Sequence, residues 1–234
     1  MKVLGIDTAT NLSSVALMES RQLVASAARM GARGHDGFLI PAVDFCFDQA
    51  GWRPEDLDAV VVDVGPGLFT GLRVGIASAQ GMATMLGVPI LGVSSLDALA
   101  LRATTRHRYI WSVVDVRRGE VAVAGYLPVP GGAALDALPE LVDYKQFLGI
   151  LESDDRQILV VGDWKALPGF VLRGLRGVVT GIPRYPAAEA LIELAWPKAE
   201  RGEFYHPNEV RPLYMREPDV TLGSAHLREG GLWE

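Results

Sequence analysis

Short runs of apolar residues alternate with polar or glycine-rich segments through the first hundred positions, a pattern typical of alternating strands and helices. Strands are predicted at 3–7 and 14–18, and the polar turn between them completes a hairpin. The pattern next predicts a helix over 36–50, a strand over 59–64, a helix over 72–86, a strand over 88–93 and a helix over 96–102.

The second half of the chain repeats this order of elements. A strand over 109–116 carries Asp115 near its end, as the first strand carries Asp7, and a turn at 117–119 leads into a strand over 120–126. We then expect a loop at 128–132, a helix over 143–152, a strand over 157–162 and a helix over 186–199. Two halves of this kind indicate a duplicated α/β unit rather than a single doubly wound sheet.

The predicted domain boundaries follow from this repeat. We place a first lobe at residues 1–103 and a second lobe at 104–216, with a linker near 104–108. The last residues of the second lobe are candidates to pack back on the first. Residues 217–234 are expected to form a tail.

Composition narrows the possible functions. The chain has 234 residues, of which 49% are hydrophobic and 21% are charged, as in ordinary globular proteins. Its net charge is −6 and its basic residues form only short groups, so we expect the chain alone to bind nucleic acid weakly. Its single cysteine, Cys46, excludes an intrachain disulfide and fits a cytoplasmic protein.

One uncharged stretch, residues 74–96, is long enough to be checked as a membrane span. Gln80, Gly87 and Pro89 divide it into a helix and a short strand, so no membrane association is expected.

The segment 5–10 has the composition of a phosphate-binding turn. A strand ends on Asp7, and the hydroxyl groups of Thr8 and Thr10 follow beside backbone N–H groups. These groups are suited to hold the phosphates of a nucleotide and their metal ion. The alternative is an ordinary hairpin turn whose polar groups satisfy one another, and the residues alone do not decide between the two.

A second candidate for phosphate binding is the loop 65–71, which contains Gly65, Gly67 and Thr70 and opens a helix. Glycine-rich loops at helix N-termini are natural anion sites. No lysine follows the glycines as in a Walker loop, and a tight strand-to-helix turn explains the same residues. The four histidines lie in separate segments, so no metal site is predicted.

Two helices carry more apolar or small residues than one buried face requires. The helix over 72–86 has a single charge, Arg73, and contains glycines and alanines that permit close approach of another helix. The helix over 36–50 has large apolar residues around more than one face.

Three motifs give the chain a resemblance to a known family. GIDTAT at 5–10, GPGLFTGLRVG at 65–75 and DVRRGEV at 115–121 resemble the TsaB family, also called YeaZ, of the bacterial machinery that makes threonylcarbamoyladenosine in tRNA. The resemblance extends to RPLYMR at 211–216. It implies an actin-like fold of the Hsp70 and sugar-kinase type, with two related lobes and a cleft between them.

The resemblance also implies that this chain is not the catalyst. The catalytic relative TsaD has two metal-binding histidines four positions apart, where this chain has Ser95 and Leu99. Neither residue can replace histidine as a metal ligand. The family therefore implies a non-catalytic subunit that supports TsaD and requires no cofactor of its own, with ATP or ADP possible in the complex.

Partners are implied in the same way. They are a TsaD-like catalytic subunit, a TsaE-like ATPase, tRNA through the complex only, and a second copy of the chain when TsaD is absent. In TsaB-like proteins helices of the first lobe form the interface with TsaD. The interface candidates on these helices are Phe38, Pro41, Phe45, Asp48, Arg73, Ile76, Ala77, Gln80, Gly81 and Thr84.

Two other functions stay open at this point. Asp7, Thr8 and Thr10 also suit a free-standing actin-like ATPase or sugar kinase. A metalloprotease-like hydrolase is the third possibility, and Ser95 and Leu99 argue against it.

Overall fold

A computed structural model of the protein describes residues 1–31, 35–167, 172 and 174–215. The predicted tail, 217–234, lies outside the described residues. The first half contains β1 (Lys2–Asp7), β2 (Leu12–Glu19), β3 (Gln22–Met30), α1 (His35–Ala50), β4 (Ala59–Gly65), α2 (Phe69–Leu86), β5 (Ile90–Ser94) and α3 (Ser95–Leu101). The second contains β6 (Tyr109–Asp115), β7 (Glu120–Val129), β8 (Gly132–Asp143), α4 (Tyr144–Glu152), β9 (Ile158–Gly162), β10 (Val178–Thr180) and α5 (Ala188–Glu200).

The strands form two five-stranded sheets with the same topology. The first has the order β3-β2-β1-β4-β5 and the second the order β8-β7-β6-β9-β10. In each sheet the first three strands form an antiparallel meander, and the last two run parallel to the first. This is the two-lobed actin-like architecture, and the predicted duplicated fold is confirmed.

Three strands have no counterpart in the sequence prediction: β3, β8 and the short edge strand β10. β3 and β8 lie at the edges of their sheets, and most of their side chains face solvent, with only Ala25 and Val142 buried. Edge strands of this kind lack the apolar alternation that marks a half-buried strand. The loop predicted at 128–132 is shorter in the structure, where residues 130–131 form the turn between β7 and β8.

The first sheet is covered by helices on both faces. On one face, α1 and α2 pack against alternate residues of β1, β2 and β4, among them Ile6, Val15 and Val62. On the other face, α5 packs against the residues that point the opposite way, such as Val3 and Val61. Because both faces are buried, β4 reads as a nearly continuous apolar run.

The second sheet is also covered on both faces. α4 packs through Phe147 and Leu151 against one face, while α3 packs through Leu96 and Leu99 against the other. α3 precedes the second sheet in the chain, and α5 follows it yet packs on the first sheet. In the sequence, α3 follows the last strand of the first sheet but packs on the second sheet, and α5 follows the last strand of the second sheet but packs on the first. The two helices also contact each other.

Within the described residues, no helix has the length and apolar character to cross a bilayer.

Candidate functional site

Several polar groups of the β1–β2 turn, residues 8–11, are hydrogen-bonded within the chain. Ala9 N–H donates to Asp7 Oδ1 at 2.9 Å, and Leu12 N–H donates to Thr10 Oγ1 at 3.3 Å. The Thr8 hydroxyl donates to the carbonyl oxygen of Gly71 at 2.7 Å. Asp7, Thr8 and Thr10 are all buried, so the groups predicted to meet a nucleotide face the protein's own backbone.

The segment 65–71, which contains the end of β4 and the first residues of α2 and which we call the glycine loop, lies directly on this turn. Leu68 N–H donates to the carbonyl oxygen of Ala9 at 2.7 Å. A Cβ atom on Gly67 would lie 2.3 Å from that same oxygen, so only glycine fits there. The glycine loop and the turn are therefore in direct backbone contact.

The structure therefore brings five of the six predicted nucleotide-site residues into one contact region, since Gly65 also lies in the loop that covers the turn. The sixth, Thr70, is exposed in the first turn of α2. Arg73 lies one helical turn further and stacks on Phe69, with its guanidinium carbon 3.7 Å from the ring centroid.

Asp7 and Asp63 form a buried acid pair at the ends of two central strands. Ile6 of β1 lies beside Val62 of β4 in the parallel ladder, so the residues that follow them are neighbours. Asp63 Oδ1 accepts hydrogen bonds from Gly65 N–H at 2.7 Å and from the Ser95 hydroxyl at 2.6 Å. Sequence analysis missed Asp63; the signal was an acidic residue inside the apolar run 59–65.

Burial disfavours the charged form of both acids. It raises the pKa of Asp7 well above the usual range, and the negative charge of Asp63 adds to this effect. Burial also raises the pKa of Asp63 to about 7, against the hydrogen bonds from Ser95 and Gly65, which favour its carboxylate.

The second lobe has a corresponding acid pair, Asp115 and Asp163, at the ends of β6 and β9. Asp115 N–H donates to Asp163 Oδ2 at 3.4 Å, and burial raises the pKa of Asp163 to about 6. Here cations are present: Arg117 forms an ion pair with Asp115 at 3.1 Å, and the charge of Arg184 acts on Asp163. Arg117 also donates to Asn11 Oδ1 at 3.1 Å and so bridges the two lobes.

The structure offers no metal centre at the positions of the TsaD histidines. Ser95 is buried and bonded to Asp63, and Leu99 is buried in the apolar contact with the second sheet. Among the described residues, no group of three or more histidine, cysteine, aspartate or glutamate side chains is placed to hold a metal ion.

The outer surfaces of α1 and α2, which contact each other, form a joined surface that we call the α1–α2 face. On α1 it contains Pro41, Phe45 and Asp48, and on α2 it contains Arg73, Ala77, Gly81 and Thr84, all exposed. Their spacings of three and four residues place each set on one side of its helix.

The remaining interface candidates have contacts inside the chain. Ile76 is 5% exposed and belongs to the core between α2 and the first sheet, so it does not reach the surface. The Gln80 side-chain amide donates to the carbonyl oxygens of Pro207 and Val210 at 2.7 and 3.1 Å. Phe38 packs partly against the core.

Sequence analysis missed three large exposed side chains on α1 and α2. Ile40 is 48% exposed and Met85 is 76% exposed, and Phe69 at the start of α2 is 47% exposed. Phe45, which was predicted, is 48% exposed. Large apolar side chains that are exposed on neighbouring helices leave apolar surface in contact with water. Surfaces of this kind are typical of protein interaction sites.

Comparison with known proteins identifies the family. The family model described as "TsaD: tRNA N6-adenosine threonylcarbamoyltransferase" matches residues 27–150. The tRNA threonylcarbamoyladenosine biosynthesis protein TsaB of Escherichia coli K12 is 30% identical over 230 residues, which cover 92% of this chain and 95% of that one. TsaB of Bacillus subtilis 168 is 31% identical over 163 residues, or 69% and 71% of the two chains.

Solved structures agree with the sequence relatives. YeaZ from Pseudomonas aeruginosa superposes with a TM-score of 0.78 at 29% identity, over 91% of this chain and 99% of that one. The shared fold thus extends over nearly the whole length of both chains. With a near-full-length relative at 30% identity as well, the chain belongs to the TsaB family of tRNA threonylcarbamoyladenosine biosynthesis proteins.

Proposed function

We propose that this chain is a non-catalytic subunit that binds a TsaD-like threonylcarbamoyltransferase through the α1–α2 face. In the complex it supports N6-threonylcarbamoylation of the adenosine beside the anticodon, in tRNAs that read codons beginning with A. The observation that carries the proposal is the exposure of Phe45, Phe69 and Met85 on two neighbouring helices.

The shape of the α1–α2 face supports a helical partner. Ala77 and Gly81 leave the middle of α2 without bulk, and a Cβ atom on Gly81 would have nothing within 4 Å. Such a shallow groove, with larger side chains at Phe45 and Met85, allows a second helix to approach the backbone closely. Exposed apolar side chains on the partner would then be removed from water, the main favourable term in association.

The closed β1–β2 turn supports a non-catalytic role. The Ala9 N–H group and the Thr8 hydroxyl donate within the chain, and the glycine loop is held against the turn by the hydrogen bond from Leu68 N–H to the carbonyl oxygen of Ala9. Ser95 and Leu99 supply no ligand for a catalytic metal. We therefore assign any ATP or ADP in the complex to the partners, and the chain itself needs no cofactor.

The other partners follow from the same surface. A second copy of the chain can cover the α1–α2 face when TsaD is absent, so the isolated chain is proposed to form a homodimer. A TsaE-like ATPase is assigned to the assembled complex, and tRNA contacts this chain only through that complex, in keeping with the net charge of −6.

The test is complex formation with the TsaD-like subunit of the same organism. Wild-type chain is expected to co-elute with it in size-exclusion chromatography and to bind it in calorimetry. Gly81→Arg places a long charged side chain on the face without a clash inside the chain, and we expect binding at least about tenfold weaker. Reconstituted tRNA modification should be lost in parallel.

A matched control is Leu138→Arg, which introduces the same charged side chain at an exposed position of β8 in the other lobe. Leu138 is 76% exposed. This variant should bind and support modification like wild type. If wild-type chain forms no complex, the proposed partnership is wrong. If Leu138→Arg weakens binding as much as Gly81→Arg, the α1–α2 face is not the interface.

Calorimetry with ATP and magnesium tests the role of the β1–β2 turn separately. We expect no binding heat from the chain alone. Micromolar affinity with turnover would contradict a non-catalytic role and would favour an actin-like ATPase.

A further inference from the structure

We propose that Asp7 and Asp63 share one proton at neutral pH, donated by Asp7 to Asp63, and that this carboxyl–carboxylate hydrogen bond locks the β1–β2 turn and the glycine loop together. This hydrogen bond lies within the folded chain and does not depend on the proposed partner. Because it requires a bound proton, the packing beneath the start of α2 depends on pH.

Among the described residues, one oxygen of each carboxyl group of the acid pair has no hydrogen-bond donor. Asp7 Oδ1 accepts from Ala9 N–H, and Asp63 Oδ1 accepts from Gly65 N–H and from Ser95. No donor in the described part of the chain reaches Asp7 Oδ2 or Asp63 Oδ2, although both atoms are buried. Ile6 and Val62 are paired in the parallel ladder, so the two carboxyl groups that follow them lie side by side at the strand ends, and a proton between them satisfies both.

The surroundings of the pair do not compensate two negative charges. The other charges that act on it are acidic: Glu189 of α5 acts on Asp7, and Asp97 of α3 acts on Asp63. From α2, the turn is contacted by uncharged glycine residues, 71 and 75. Two buried like charges strongly disfavour each other, and one bound proton removes the conflict.

A metal ion is a poorer occupant than a proton. Hard cations take about six or more oxygen ligands, often including water. The described residues provide no group of three or more potential metal-binding side chains, and the pair is buried. The proton needs only the two facing oxygen atoms.

The hydrogen bonds also indicate which acid keeps the proton. Asp63 receives two donors, from a backbone N–H group and from the Ser95 hydroxyl, while Asp7 receives one. Donors stabilise a carboxylate, so the negative charge resides on Asp63 and the proton on Asp7. The hydroxyl of Ser95 thus stabilises the carboxylate of Asp63.

The acid pair of the second lobe shows the other solution to the same problem. At the equivalent strand ends, Asp115 pairs with Arg117, and the charge of Arg184 acts on Asp163. Arginine side chains supply positive charge there. The two lobes therefore carry the same acids in different electrostatic surroundings.

The sign of the pH effect follows from proton binding. Unfolded aspartates lose their protons near pH 3.9, whereas the folded pair keeps one at neutral pH. Stability from this site is therefore complete below the unfolded pKa and declines as pH rises through the folded pKa values. Each extra proton held by the folded state makes the unfolding constant rise about tenfold per pH unit.

The direct test is carbon-13 NMR of aspartate side-chain carboxyl groups in wild-type chain across a pH titration. One carboxyl resonance should stay in the protonated range at neutral pH, and it should be missing from Asp7→Asn. If every aspartate of the folded wild-type chain titrates below about pH 5, the shared proton does not exist.

Urea unfolding between pH 5 and pH 8 gives an independent readout. In Asp7→Asn the side-chain amide can donate to Asp63 without a titrating proton, so the pH dependence should be weaker by about tenfold per pH unit in the unfolding constant. Asp44→Asn, at an exposed position of α1, is the control and should keep the wild-type profile. Parallel profiles for wild type and Asp7→Asn would overturn the proposal.

Discussion

Substituting alanine for two glycines of α2 tests how closely this helix lies on the β1–β2 turn. Gly75 is buried against the turn, and a Cβ atom there would lie 2.4 Å from the hydroxyl oxygen of Thr8. Gly81 is exposed two turns further along the same helix, where a Cβ atom meets nothing within 4 Å. The substitution is the same in both cases, and only the surroundings differ.

The two substitutions are expected to change the free energy of unfolding in opposite directions. Alanine in place of glycine inside a helix stabilises by about 1 kcal/mol, which is the expected gain for Gly81→Ala. At Gly75 the same gain is outweighed by about 1–3 kcal/mol of overpacking. The hydrogen bond from Thr8 to Gly71 is lost as well if the hydroxyl moves, at about 1 kcal/mol. Gly75→Ala should therefore lose roughly 1–3 kcal/mol in total.

Urea unfolding of the two variants and wild type, followed by circular dichroism, measures both free energies. Adding Thr8→Ala to Gly75→Ala removes the clashing oxygen, so the double variant should be less destabilised than the sum of its single changes. If Gly75→Ala stabilises the chain as much as Gly81→Ala does, the turn is not in contact with the helix. The explanation of the closed turn would then be wrong.

Three further predictions concern groups elsewhere in the fold. Burial raises the pKa of Asp163 from 3.8 to about 6. The contribution of this group to the free energy of unfolding is therefore complete below pH 3.8 and is lost as pH rises through 6. In Asp163→Asn the change of that free energy between pH 3.8 and pH 6 should be smaller, by about 3 kcal/mol at most. Burial raises the pKa of the Cys46 thiol to about 11, so iodoacetamide at pH 8 should label unfolded but not native chain, by mass spectrometry. Gln80→Met leaves the carbonyl oxygens of Pro207 and Val210 without their donor and should cost about 1–3 kcal/mol in urea unfolding.

The sequence predicted most elements because their burial leaves a pattern. β1, β4, β6 and β9 are apolar along most of their length, and they were found within one or two residues. β3 and β8 were missed because edge strands expose most of their side chains and depend on the neighbouring strand for their hydrogen bonds. Their existence is a property of the sheet rather than of the local sequence.

The candidate site was only partly readable for a related reason. Asp7 could be predicted as a site residue because hydroxyl-bearing residues follow it in the sequence. Asp63 lies within an apolar strand, and only the parallel pairing of β4 with β1 brings it next to Asp7. The orientation of α2 was also ambiguous. It is apolar or small nearly all round, so its sequence does not show that Ile76 faces the sheet and Ala77 faces solvent.

The helices that cross between the lobes constrain how the molecule can move. Actin-like enzymes that work as clamps need two lobes able to rotate about a hinge. In this chain α3 is anchored in the second sheet and α5 in the first, and they are packed on each other. Rotation of one lobe would shear that apolar contact and break the link from Arg117 to Asn11. We therefore expect the two lobes to keep one relative angle, so that the proposed partner surface on α1 and α2 keeps a single orientation.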